Sequence, residues 1–185
     1  MIEHLSKLKE DRNLISIRRE KIDDRRTQAF LINYSNELIL IKYVYDFILD
    51  GLMVLRCSDI SEIKSDKTDL LQTQILKDEG TYSDVDFHTK CDLSSWRSAF
   101  SSLAPLNRFI TVEDENPEYP LFYLGEVRDI GIESVSILGF SGAANWDDET
   151  SEIYYEDISC VQTGNNYANV YERYFERNAL TKPSI

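Results

Sequence analysis

The chain has 185 residues, of which 42% are hydrophobic and 29% charged, and its formal net charge is −13. That composition supplies a core for one domain or two small ones and excludes an intrinsically disordered chain. It also excludes a membrane-spanning helix, since the apolar run at 38–44 is short and contains Lys42.

Taken in chain order, residues 2–9 place Leu5 and Leu8 on one face of a short amphipathic helix. Four β-rich stretches follow at 14–17, 29–34, 38–45 and 52–57, with turn residues at Ser35-Asn36 and Asp50-Gly51. Asp59-Ile60-Ser61 closes them, and Asp69 opens a helix carrying Leu70, Leu71, Ile75 and Leu76 that Gly80 stops. The least patterned stretch, Gly80 to Lys90, reads as a linker. Asp92 is expected to cap a helix over 93–103, with Trp96, Phe100 and Leu103 at helical spacing. Strands are expected at 109–112, 121–127, 134–140 and 153–155, with Gly125, Gly131, Gly139 and Gly142 marking bulges or bends. Asp157-Ile158-Ser159 closes this second series. Tyr167, Tyr171 and Tyr174 then recur at helical spacing, and with Phe175 they read as a core stripe matching Leu71 and Ile75.

The chain therefore reads as written twice. Leu5, Leu8, Leu14 and Ile17 return 95 positions later as Phe100, Leu103, Phe109 and Val112, and the two Asp-Ile-Ser elements lie 98 apart. The expected fold is α+β and β-rich: two repeated small β-barrel units, each flanked by short helices and related by a pseudo-two-fold. Their bounds are 1–79 and 92–185, with a linker at 80–91. A helix, a strand, a bent strand, a strand ending in an acidic loop and a closing hydrophobic-x-Asp-Ile element together resemble the Sm-like and SH3-like small barrels. Phe122-Tyr123-Leu124-Gly125-Glu126-Val127 and Asp157-Ile158-Ser159-Cys160-Val161 carry that resemblance best. It implies that each Asp-Ile pair sits at the turn joining the last two strands, and it places no functional residue.

Met1 to Arg26 is dense in charge and has no signal-peptide pattern. Cys57, Cys91 and Cys160, odd in number and widely spaced, suit a reducing cytoplasm better than a disulfide framework. Charge is uneven: residues 1–64 are net neutral, 65–104 carry −3 and 105–185 carry −10, with 15 acidic against 5 basic residues. An acidic body repels phosphate backbones and attracts basic partners.

Trp146-Asp147-Asp148-Glu149, in a loop over 141–152, has the composition of a contact for a basic surface, and equally that of a loop whose tryptophan plugs a barrel end. Arg18, Arg19, Lys21, Arg25 and Arg26 form the one basic run. Within it Arg18, Arg19, Arg25 and Arg26 are the nucleic-acid-binding candidates, though Glu20, Asp23 and Asp24 cancel much of their field. Asp84, Asp86, His88, Cys91 and Asp92 lack the second Cys or His pair of a zinc site and the glycine and terminal glutamate of a calcium loop, so no metal is expected. Gly164-Asn165-Asn166 is too short for a phosphate loop, and no cofactor is expected. Two histidines, His4 and His88, with no nucleophile elbow argue against an enzyme.

The resulting expectation is a cytoplasmic, non-enzymatic interaction protein whose acidic second unit binds a basic protein. An immunity protein neutralising a toxin is the concrete version. A tandem Sm-like nucleic-acid-binding protein and a structural or assembly subunit are the alternative classes.

Overall fold

Ten strands in the computed structural model, which describes residues 2–180, join into one antiparallel sheet. Helix α1 (Ile2–Asp11) leads into β1 (Leu14–Arg19), β2 (Asp23–Tyr34), β3 (Leu38–Tyr45) and β4 (Ile48–Arg56). A 3-10 turn at Cys57–Asp59 precedes β5 (Glu62–Lys64) and α2 (Lys67–Asp78). The second half comprises α3 (Trp96–Leu103), β6 (Ile110–Asp114), β7 (Leu121–Ile130), β8 (Ser134–Gly139), β9 (Ser151–Tyr154), β10 (Cys160–Thr163) and α4 (Asn166–Arg177).

The sheet order is β5-β1-β2-β3-β4-β10-β6-β7-β8-β9, and no ladder joins β5 to β9. The architecture is thus α+β and β-rich, but the sheet is open where closed barrels were expected. The reason lies in one ladder: β4 pairs with β10, so the fourth strand of the first half is taken by the fifth strand of the second. Both runs of five strands follow the same order along the sheet. Every ladder is antiparallel, and β1 and β6 stand five places apart, so they run in opposite directions. Both Asp-Ile pairs fall between the fourth and fifth strands of their run.

Several local expectations shift. The Asp50-Gly51 turn does not form; the chain reverses at Asp46 and Phe47, with φ of 46° and 67°, because Tyr45 pairs directly with Ile48. Gly51 instead lies inside β4 at φ +78°, where an added Cβ would stand 2.6 Å from the Thr163 carbonyl oxygen and 2.6 Å from the Asn165 amide. Gly125 and Gly139 pair with each other, and the irregularity of the β7–β8 ladder falls between Val127 and Asp129 instead. Helix α3 is capped by Ser95, whose hydroxyl accepts from the Ser98 amide at 3.1 Å, in place of Asp92, which forms a turn with Ser94 upstream.

Register carries one apolar row across the middle of the sheet: Leu40 opposite Val54, Val54 opposite Val161, Val161 opposite Val112. This row belongs to a cluster drawing on both halves, from Leu14 and Phe30 to Ile137 and Ile153, completed by Leu76 of α2 and by Trp96, Phe100 and Leu103 of α3. Residues 80–91 join that core. Val85 and Cys91 are buried, while Tyr82 and Phe87 pack edge-on against Phe30 at 5.5 and 5.7 Å. On the other side of the sheet, Ile15, Ile17, Ile39, Ile41 and Leu55 lie under Leu5 and Leu8 of α1. Farther along, Phe109, Leu124 and Phe140 lie under Ala168 and Phe175 of α4. Each leading helix thus covers one face of its run and each trailing helix the opposite face.

Replacing Gly51 with alanine combines a left-handed backbone with a clash against the backbone between β10 and α4. Gly51→Ala is expected to cost about 3 kcal/mol, measured as a lowered denaturant midpoint with an unchanged slope.

Candidate partner-binding edge

Among the described residues, strand β9 is the last in the sheet and pairs only with β8. The Tyr155 amide donates to the Glu133 carbonyl at 2.9 Å. By the alternation of an antiparallel ladder, Ser151 and Ile153 aim their backbone groups at β8, and the amides of Glu152 and Tyr154 aim at the open side. Ile153 is buried, whereas the side chains of Glu152 and Tyr154 are exposed. From 147 to 157 the chain holds Asp147, Asp148, Glu149, Glu152, Glu156 and Asp157 and no lysine or arginine. All six carboxylates are exposed, and none forms a salt bridge among the described residues.

The loop before β9 is held by its tryptophan. Trp146 bridges to Phe140 and packs against Phe109, Phe140 and Phe175 with ring centroids at 5.9, 5.7 and 4.9 Å. The Arg108 guanidinium stands over its ring at 5.6 Å. The indole is half-buried, and its N–H lies buried with no acceptor among the described residues. Trp146 therefore fastens the loop to the core, and the adjoining Asp147, Asp148 and Glu149 are left in water.

The four candidate arginines do not form a free basic surface. Arg25 and Arg26 lie within β2, which begins earlier than the sequence suggests because Arg18 pairs with Arg26 across the β1–β2 ladder. Arg19 is buried and grips both carboxylate oxygens of Glu115, one of them at 2.7 Å. Arg26 bonds Asp66 at 3.0 Å and Asp69 at 2.9 Å, and Arg18 stands 3.7 Å from Glu62. Only Arg25 has no acid partner among the described residues.

The Arg19–Glu115 pair belongs to a polar seam over the β4–β10–β6 junction. Ser159 Oγ donates to Glu115 at 2.8 Å, and Gln162 Nε2 donates to Glu113 at 3.1 Å. Burial, and next the charge of Glu115, push the Glu113 carboxyl above its usual range. Beside it the fully enclosed Cys160 thiol is pushed well up by burial. Cys57 and Cys91 are likewise raised by burial, each to about 11, so none of the three thiols is poised as a nucleophile or metal ligand.

Cys91 points into the core while Asp84, Asp86, His88 and Asp92 face solvent, and no group of three or more metal-ligating side chains converges among the described residues. The tyrosine stripe of α4 divides differently from expectation. Ala168 and Phe175 are buried and Tyr171 is half-buried with its hydroxyl on the Gly142 carbonyl at 3.1 Å, but Tyr167 and Tyr174 are exposed. A helix only ten ångström or so across turns one stripe inward, and positions 168, 171 and 175 occupy it. Glu152, Tyr154 and Glu156 are not among the residues the sequence marks as contacts, and Asp157 is marked only as part of the closing Asp-Ile-Ser element; the uninterrupted acidity from 147 to 157 is the available signal.

No protein-family model, no curated protein and no solved structure matches the chain.

Trp146→Ala is expected to lose about 2–3 kcal/mol of stability by emptying an aromatic site. Trp146→Phe keeps the packing and removes the unsatisfied donor, and is expected to stay within about 1 kcal/mol of the parent, both by chemical denaturation. Because the Glu113 carboxyl is raised on folding, the folded state holds its proton more tightly, and its contribution falls as pH rises from the unfolded value through the folded one. Glu113→Gln is therefore expected to raise the melting temperature at neutral pH and to flatten its decline between mildly acidic and neutral pH.

Proposed function

We propose that the chain is a non-enzymatic protein-interaction module whose acidic second half receives a basic protein along the β9 edge. The observation that carries this reading is the coincidence of a sheet-edge strand with six exposed carboxylates in one stretch of eleven residues, none in a salt bridge among the described residues. A basic segment added as an eleventh strand gains main-chain hydrogen bonds from the outward amides, while its alternate lysines or arginines meet Asp147, Asp148, Glu149, Glu152, Glu156 and Asp157. Trp146 supports the contact indirectly, by holding the loop rigid.

In its concrete form the protein is a cytoplasmic immunity protein that masks the substrate-binding surface of a basic toxin such as a nuclease, its carboxylates occupying the place of phosphates. The two runs of the sheet are then two copies of one Sm- or SH3-like unit, the first a scaffold and the second the reader. Identical strand order and matching helix positions support that division. The nucleic-acid alternative loses support because Arg18, Arg19 and Arg26 are spent on internal acids.

The test is a tagged pull-down at low salt comparing the parent with an Asp147→Lys, Asp148→Lys, Glu149→Lys variant. The expected result is a stoichiometric basic protein on the parent alone, released by raising salt, with affinity falling at least about 100-fold on charge reversal. Equal recovery on both proteins, or nucleic acid recovered without protein, overturns the reading.

A further inference from the structure

Helix α2 turns its polar side to the sheet. Asp69 and Thr73 are buried together with Leu76, whereas Leu70, Leu71 and Ile75 are 48%, 62% and 36% exposed. A dense network fixes this orientation. Asp69 Oδ1 accepts from Ser16 Oγ at 2.7 Å and from Gln28 Nε2 at 3.1 Å. Its Oδ2 accepts from Arg26 at 2.9 Å and from the Asp66 amide at 2.9 Å. Thr73 Oγ1 accepts from the Leu14 amide at 2.8 Å and donates to the Asp69 carbonyl at 2.7 Å. Rotating the helix to bury its leucines would strip the Asp69 carboxylate of its three hydrogen bonds from β1 and β2 and take that partner from Arg26, so the apolar stripe is locked outward.

That stripe has an order. From its N-terminal end it presents Lys67, then Leu70 and Leu71, then Gln74 and Ile75, then Asp78, all exposed. Lys77 lies off it, over the Tyr82 ring at 4.8 Å. Neither Lys67 nor Asp78 has an ion-pair partner among the described residues; Asp78 Oδ1 accepts only from Gln74, at 2.7 Å. Read end for end, basic–apolar–apolar–acidic is its own complement.

We propose that this face binds a second copy of the chain, two α2 helices packing antiparallel about a two-fold axis midway between Leu71 and Ile75. Leu71 of each copy meets Ile75 of the other, Lys67 meets Asp78 at both ends, and the helix dipoles oppose favourably. Three turns of helix bury less than the roughly 1,600 Å² of a standard interface. The dimer is accordingly weak and concentration-dependent. It is independent of the β9 edge, which lies at the far end of the sheet from the β1–β2 strands that α2 covers.

Sedimentation velocity from low micromolar to near-millimolar protein tests it. The parent is expected to move from monomer toward dimer, and Leu71→Asp to remain monomeric with an unchanged circular dichroism spectrum. Lys67→Glu and Asp78→Lys each place like charges across both ends and weaken association about tenfold. The double variant carrying both changes restores it. A parent that stays monomeric throughout, a Leu71→Asp variant that associates as the parent does, or a double variant no better than the singles overturns the proposal. The lysine variant of Asp147, Asp148 and Glu149 is expected to associate as the parent does, which separates this face from the acidic edge.

Discussion

The short ladder between β4 and β10 is the interaction on which the rest of the molecule depends. Leu52 to Leu55 pair there with Thr163 to Cys160, and the same four residues of β10 pair on their other side with β6. One row of side chains, Leu40, Val54, Val161 and Val112, consequently runs through both halves on one face. A five-stranded run of this size has little core of its own, and the ladder solves that by fusing one face of each run into a common cluster. Helix α3 and residues 80–91 are then packed material within it.

Polar groups set the register of that joint. Arg19 grips Glu115, and Arg56 donates to the carbonyls of Tyr155, Glu156 and Ile158 at 2.9, 2.8 and 2.5 Å. Asp50 accepts from the Asn166 amide at 2.6 Å, at the start of α4. Each of these bonds links the first half to the second, and each would be lost if the ladder slipped by one residue. A one-residue slip would also turn the apolar row to the opposite face, so charged groups with fixed acceptors reinforce a register the hydrophobic pattern already favours.

The same economy of charge explains the surface. Arg19, Arg26, Arg56 and Arg108 are committed to acceptors inside the protein. Their acids are Asp66, Asp69, Glu115 and Glu126, and the carboxylates from 147 to 157 form no salt bridge among the described residues. A net charge of −13 is therefore felt most strongly at one end of the sheet. On α2 the buried carboxylate of Asp69 has a different consequence, since satisfying it turns leucines toward water. Both exposed surfaces, the acidic edge and the apolar stripe, follow from where buried charges had to find partners.

Apolar runs and period-3.6 spacing located most elements, because the nearly continuous apolar stretch Leu38–Tyr45 and the spacing of Trp96, Phe100 and Leu103 are local properties of the chain. The matching offsets of Leu5 and Phe100 or Leu14 and Phe109 likewise pointed to two runs of similar design. Elements defined by long-range pairing were harder to see: three-residue β5, the continuation of β4 through Asp50-Gly51, and the early start of β2. In the candidate site, acidity was legible but the exposed edge was not. The sequence by itself determined the element types, the acidic bias and the presence of apolar helix faces. Only the tertiary structure decided that β4 joins β10, that Arg19 and Arg26 are spent internally, that Trp146 turns inward and that Leu71 turns outward. Those outcomes depend on which distant groups satisfy each buried strand edge and charge, and a linear pattern does not encode that choice locally.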